Sequence, residues 1–374
     1  MPTQPAPRTR VASASPDRAT TTPTGRAAGR EDFAELSRRV RADGLFRRRG
    51  GYYAVTIPVL VAALTGLAVI VVLLGGSWWN LAVAVAVAFV MAQFSFLGHD
   101  AGHRQVWSRR RGNDALGLVL ANLMSGVSFG WWLTKHTRHH GHTNDDGKDP
   151  DIVAGALVYT PRQADLRGPV GRGFARIQQI TVIPLLFLEA LNLHVASATA
   201  LARRRDRPAL VEAGLLVAHV GLFVVAPFLV LPPLQAALFV VVTQAVFGFY
   251  LGISFVTNHV GMPSLAAGDE PGFLRRQVLT SRNLSGTRFT GFLFGGLDSQ
   301  IEHHLFPTMP RANLRRARSV VRPFCAEHSI DYTEQSPWHA YREVLHHLRA
   351  VGNGRGTPRP AEPLRPVRRV PWGE

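Results

Sequence analysis

The chain has 374 residues, 42 Lys+Arg against 25 Asp+Glu for a formal net charge of +17, and 46% hydrophobic residues. Its single cysteine, Cys325, excludes an internal disulfide, a CxxC redox pair and a thiolate cage for zinc or iron-sulfur, so any metal must be held by His or carboxylate. A chain at once basic and apolar points to a membrane protein before a nucleic-acid binder.

Residues 1–30 are rich in Pro, Thr, Ala and Arg with Asp17 as their one acid, and they lack apolar periodicity. They read as a disordered tail, and a basic, disordered N-terminal region is expected over 1–44. From Gly50 to His99 there is no Asp, Glu, Lys or Arg, and Gly75-Gly76-Ser77 divides the stretch. A bilayer core takes about 20 apolar residues per helix, which predicts spans over about 54–74 and 80–98. Residues 115–134 are uncharged and long enough to span, and 177–202 are apolar but interrupted by Pro184 and Glu189. Both read as helices lying in or dipping into the interface, with a five-span alternative for the first. A second charge-free stretch, Ala213 to Gly268, is split by Pro232-Pro233 into helices of about 212–231 and 234–257, because proline ends a helix.

The two tight turns carry no charge, whereas Arg47–Arg49, Arg109–Arg111 and Arg203–Arg205 lie beyond the opposite helix ends. The positive-inside rule then puts those ends and both termini in the cytoplasm. Beside membrane spans, such arginines meet lipid headgroups or a phosphate-bearing substrate rather than nucleic acid. A basic tail, disordered, is expected over 346–374, with one membrane domain over 45–345. Arg- and Ala-heavy usage with only two lysines points to a bacterial cytoplasmic membrane.

Fifteen histidines against two lysines is an unusual balance, and most are clustered. His99 and His103 stand four apart in HDAGH, and His136, His139 and His140 stand in HTRHH, spacings that share a helix face. His303 and His304 stand in QIEHH with Gln300 one turn before them, and His259 follows Asn258 at the end of the last span. The charge-derived topology brings all eight to one side of the membrane, and ionisable groups there are retained mainly for function. Imidazole suits Zn, Cu, Fe and Ni, but eight ligands exceed the needs of one ion, so two are implied. Asp100, Asp145, Asp149, Asp298 and Glu302 lie near enough in sequence to hold the second ring nitrogens.

HDAGH, HTRHH and QIEHHLFPTMPR, with NHVGMP at 258–263, resemble the three histidine boxes HxxxH, HxxHH and QxxHH and the extra-ligand segment of the membrane fatty acid desaturase family. The resemblance covers roughly residues 45–345 and carries expectations with it. The fold implied is all-α and integral to the membrane, with four transmembrane helices in two hairpins, interfacial helices and a cytoplasmic helical cap carrying a histidine-rich di-iron site. His99, His103, His136, His139, His140, His259, His303 and His304 are the implied ligands of two non-heme iron ions, with O2 as co-substrate. Gln300, where the acyl-CoA branch has a histidine, is similar to the front-end, linoleoyl-type enzymes. His142, in HHGHTN, is expected in the outer shell with Asp100, Asn258, Asp298 and Glu302, and GKDPDI (147–152) also looks like bacterial members.

The implied reaction inserts a cis double bond into a long acyl chain carried on CoA or on a lipid, in an apolar channel for which Trp131 and Trp132 are candidate wall residues. No HPGG motif of a fused cytochrome b5 domain occurs, so electrons are expected from a separate ferredoxin or cytochrome b5-like protein with its reductase. A hydroxylase or ketolase with the same boxes is the alternative within oxidoreductases. A membrane metal transporter is the alternative outside them, and it predicts ligands strung along a path at mid-membrane depth.

Overall fold

The computed structural model describes residues 25–266 and 271–355. The fold is mostly helical, and the strands among the described residues are two short ones, β1 (Asn283–Leu284) and β2 (Glu334–Gln335), paired in parallel. Four helices are long and apolar enough to cross a membrane: Gly50–Leu74, Asn80–Gly102, Arg207–Val230 and Pro233–His259. Each agrees with a predicted span, extended by a few residues at its ends.

The chain opens with α1 (Gly25–Ala42), followed by α2 (Gly50–Leu74) and α3 (Asn80–Gly102). Helix α1 corrects the expectation of disorder over 1–44. Its Leu36 and Val40 are wholly buried against residues far along the chain, so tertiary packing orders a segment that polarity alone makes look unstructured. Residues 1–24 lie outside the described residues. Gly75, with φ +53°, makes the turn from α2 to α3, a conformation that costs glycine little, and Asn80 Nδ2 donates to its carbonyl at 2.7 Å.

Next come α4 (Arg110–Leu118), which runs on as a π-helical stretch to Met124, and α5 (Phe129–His142). The axes before and after this break differ by 109°, so the uncharged segment 115–134 turns back on itself. His136 on its far arm lies 3.1 Å from His99, so the first and second boxes meet across this bend. Short helices α6 (Pro161–Asp165) and α7 (Pro169–Arg176) lead to α8 (Gln178–Phe187) and α9 (Glu189–Ala202), bent 68° about Leu188.

The third apolar helix is α10 (Arg207–Val220), a π turn, and α11 (Ala226–Val230); Pro232 then separates it from α12 (Pro233–His259). Helices α3 and α12 form the most extensive pair, because Ala84, Ala88 and Ala236 bring the backbones close. Around them Met91, Phe96, Phe247 and Leu251 form one core. On the other side of α12, Gly248 is required by close approach, since a Cβ there would lie 2.6 Å from the backbone nitrogen of Ala190.

The remaining helices are α13 (Phe273–Leu279), α14 (Arg288–Leu293), α15 (Gln300–Leu305), α16 (Arg311–Glu327) and α17 (Pro337–Gly352). A second core joins α1, α13, α15 and α16 through Leu36, Val278, Ile301 and Phe324, each burial stabilising by about 1.5–3 kcal/mol. The basic tail expected over 346–374 is helical as far as Gly352, with Leu348 and Val351 fully buried, and residues 356–374 lie outside the described residues.

Candidate metal centre

Four elements deliver the seven box histidines and His259 to one place: the end of α3 (His99, with His103 just beyond), α5 (His136, His139, His140), the last residue of α12 (His259) and α15 (His303, His304). They form two groups. In the first, His99, His103, His136 and His303 each offer a ring nitrogen within 4.8 Å of the others, and in the second His139, His259 and His304 do so. His140 lies between the two, its ring 4.9 Å from that of His303 and 4.2 Å from that of His304.

The nitrogens face one another in a way that protons alone do not satisfy. His136 Nε2 lies 3.1 Å from His99 Nε2, 2.9 Å from His103 Nε2 and 3.1 Å from His140 Nε2. A neutral imidazole has one N–H, so one nitrogen facing three others brings lone pair against lone pair. Beyond that, His140 Nδ1, both nitrogens of His303 and His304 Nε2 are buried with no hydrogen-bond partner. Leaving such groups unpaired costs about 1–3 kcal/mol each, and a bound cation with several open positions removes that cost. The donor set, nitrogen-rich and free of thiolate, fits iron among the metals that imidazole holds.

The outer nitrogens of the second group are oriented. His139 Nδ1 lies 2.9 Å from Asp149 Oδ1 and 3.3 Å from Asp151 Oδ2; His259 Nδ1 donates to the carbonyl of Thr280 at 2.9 Å; His304 Nδ1 donates to Gln277 Oε1 at 2.9 Å. Such contacts fix the tautomer and leave the other nitrogen for a metal. Burial drives the His303 and His304 imidazoles well below their ordinary range, and neighbouring histidines push the same way, so both rings are neutral. Burial also opposes charge on His139, but Asp151 and Asp149 outweigh it and raise that imidazole.

Of the outer groups proposed from sequence, Asp149 meets a box histidine, and Gln300 Nε2 lies 2.9 Å from His259 Nε2 while its Oε1 is buried without a partner. The others are engaged elsewhere. Asp100 stands 3.8 Å from His99 Nδ1, too far for a hydrogen bond, and pairs with Arg311. Asp145 pairs with Lys148 and Arg276, and Asp298 with Arg318. Glu302 accepts from Asn283 and Tyr332, and Asn258 donates to the carbonyl of Ser254. His142 is half-buried and makes no ring contact with the cluster. Asp151, Thr280 and Gln277 were missed; the GKDPDI segment pointed toward the first, and no motif marks the other two.

A cavity of about 300 Å³ is bordered by both histidine groups, through His99 and His136 of the first and His139 and His259 of the second, and by Gln300. Most of its lining is apolar, with Val182, Leu186, Leu193, Leu251 and Phe255, but Lys135, Asp151 and Glu189 also border it, and Trp131 and Trp132 both line it. Trp132 stacks on His136 with centroids 4.6 Å apart, and Lys135 Nζ lies 6.0 Å from the Trp131 ring.

Residues 76–336 match the model of the fatty acid desaturase family. An acyl-lipid (9-3)-desaturase of Physcomitrium patens is 31% identical over 86% of this chain, which spans 62% of that protein's length. A delta-8 fatty acid desaturase of Arabidopsis thaliana is 28% identical over 83% of the chain and 72% of its own length. A delta-6 fatty acid desaturase of Caenorhabditis elegans is 28% identical, with 85% and 74% covered. With four helices able to cross a membrane and histidine groups able to hold metal, this chain belongs to the fatty acid desaturase family.

Proposed function

We propose that the protein is an O2-dependent fatty acid desaturase of the front-end type, acting on a long acyl chain in a membrane. The observation that carries this reading is the junction of two histidine groups with one largely apolar cavity. His99, His103, His136 and His303 would hold one iron, His139, His259 and His304 the other, and His140 stands where it reaches either. Bound iron, reduced by an external donor, supplies the O2 chemistry that removes two hydrogens from adjacent methylenes, with water as the other product.

The chain's own residues position and exclude. Apolar side chains from α8, α9 and α12 enclose the acyl chain and keep water from the reacting carbons, and the rigid cavity selects which methylene faces His99 and His259. Trp132, held against His136, forms part of that wall. Gln300 beside His259 supports the front-end assignment, in keeping with the delta-6 and delta-8 names of the relatives.

For the membrane, the arrangement supported is two helical hairpins, α2–α3 and α10–α12, with a cap of α1 and α13–α17 over the histidine ends. The uncharged turns and the arginines at the opposite helix ends support placing that cap in the cytoplasm. A ferredoxin or cytochrome b5-like donor would approach there. The bacterial source rests on composition alone, since the relatives named are eukaryotic.

The test is product mass from purified protein given iron(II), a reducing system and a lipid or CoA ester. Loss of two hydrogens is expected, whereas gain of one oxygen would make the protein a hydroxylase and overturn the reading.

A further inference from the structure

The helix carrying the second histidine box follows directly on a turn between α4 and α5. Residues 126–128, between the π-helical end of α4 and the start of α5, are non-helical and buried beside apolar helices. Backbone of that kind is tolerated next to a bilayer only where protein satisfies it. Here α9 and α10 do so. His194 Nδ1 donates to the carbonyl of Gly126 at 2.8 Å, His219 Nδ1 to that of Leu123 at 2.9 Å, and the Ser128 N–H donates to Ser197 Oγ at 2.9 Å.

Glu212 on α10 is the centre of this arrangement. It is 2% exposed, and its Oε2 accepts from Ser128 Oγ at 2.6 Å and from the Gly130 N–H at 3.0 Å. Its Oε1 pairs with Arg204 at 3.3 Å. Ser128 is the N-cap of α5, accepting from the Trp131 N–H, so the Glu212 carboxylate sits on the cap and first turn of the helix that carries His136, His139 and His140. An anion there suits the helix dipole as well as the orphan N–H groups. Gly130 admits it: a Cβ at that position would lie 2.7 Å from Glu212 Oε1.

We infer that Glu212 is a positioning residue for the metal centre, fixing through Ser128 and Gly130 the direction in which α5 presents its three histidines. This rests on the desaturase reading for its catalytic consequence, but its effect on metal binding stands apart from it. The lever is direct: α5 is 14 residues long, and its histidines lie in its last two turns, so a change of angle at Ser128 is carried to their ring nitrogens.

The experiment uses the full chain in detergent, with iron affinity measured by competition against a chelator, melting temperature as the control for folding, and kcat and KM for product formation. Glu212→Ala is expected to melt cooperatively, to bind iron about 10–100-fold more weakly and to lose kcat by a similar factor with KM little changed. Glu212→Gln, which keeps an acceptor for Ser128, restores most of both. Should Glu212→Ala not fold, Ser128→Ala carries the test, because it removes the cap while leaving the carboxylate on Gly130. Wild-type iron affinity and kcat in a folded Glu212→Ala protein, or in the Ser128→Ala protein, would overturn the inference. Wild-type protein that binds iron yet forms no desaturated product would instead overturn the desaturase reading, leaving the affinity comparison to decide the role of Glu212.

Discussion

Arg311 Nε stands 2.8 Å from Asp100 Oδ2 in a place where both side chains are almost fully excluded from solvent, and the pair ties the first histidine box to the third. Asp100 follows His99 on α3, and Arg311 opens α16. Tyr53 OH donates to the same carboxylate at 3.2 Å, and the Arg311 N–H donates to Gln105 Oε1 at 2.9 Å. The segment after His303 and His304 is thereby fastened to the end of α3.

Removing one partner leaves an uncompensated buried charge, which costs about 3–5 kcal/mol. Arg311→Met should therefore lower stability by that amount in thermal or denaturant unfolding. Adding Asp100→Asn should recover part of the loss, because the stranded charge is gone. A single variant as stable as wild type would contradict the buried pair.

Asp149 holds His139 at 2.9 Å, whereas Asp145 pairs with Lys148 and Arg276. Asp149→Asn should weaken iron binding about 10–100-fold in chelator competition, the usual effect of removing a carboxylate behind a metal-binding imidazole. Asp145→Asn should leave iron affinity unchanged. Equal effects from the two would mean that the carboxylate contact with His139 is irrelevant to the metal.

Gly252 lines the cavity, and a Cβ there would lie 2.6 Å from Leu186 Cδ2, the end of a side chain that can move. Gly252→Leu should fill part of the cavity and shift competition between acyl chains toward shorter ones. Gly248→Ala should behave differently, since its Cβ would press on backbone at Ala190. A loss of stability of about 1–3 kcal/mol, without a change in chain-length preference, is expected there.

On α17, burial depresses the His347 imidazole to about 4, with Arg282 adding in the same direction against the bond its Nε2 donates to the Tyr159 carbonyl at 3.0 Å. Its folded pKa lies below the unfolded value, so its contribution to stability is present above about 6.5 and lost as pH falls toward 4. Wild type should lose stability over that window relative to His347→Gln, whose amide makes the same bond without titrating. Parallel pH profiles for the two would contradict this assignment.

The apolar spans and the histidine boxes were legible because each is a local pattern: charge-free runs of bilayer length, and imidazoles at spacings of three and four. The meeting of eight histidines followed from charge asymmetry at the helix ends. Less local features were not visible. Leu36 and Val40 order α1 through contacts with residues far along the chain, which no propensity within 1–44 records. The second nitrogens of His259 and His304 are held by Thr280 and Gln277, from a segment without any motif. Asp298 and Glu302, close in sequence to the third box, bond to Arg318 and to Asn283 with Tyr332 instead of to its histidines. Nothing in the sequence relates Glu212 to the second box, and the turn of 109° brings the start of α5 to it.

The most direct test of the central claim is gas chromatography with mass spectrometry of total fatty acids from a host expressing the protein, fed oleate and linoleate, beside a His303→Ala/His304→Ala control. New species two hydrogens lighter than a supplied acid, absent from the control and with a double bond toward the carboxyl end, are the predicted result. Unchanged fatty acids from folded, iron-loaded wild-type protein supplied with an electron donor would contradict it.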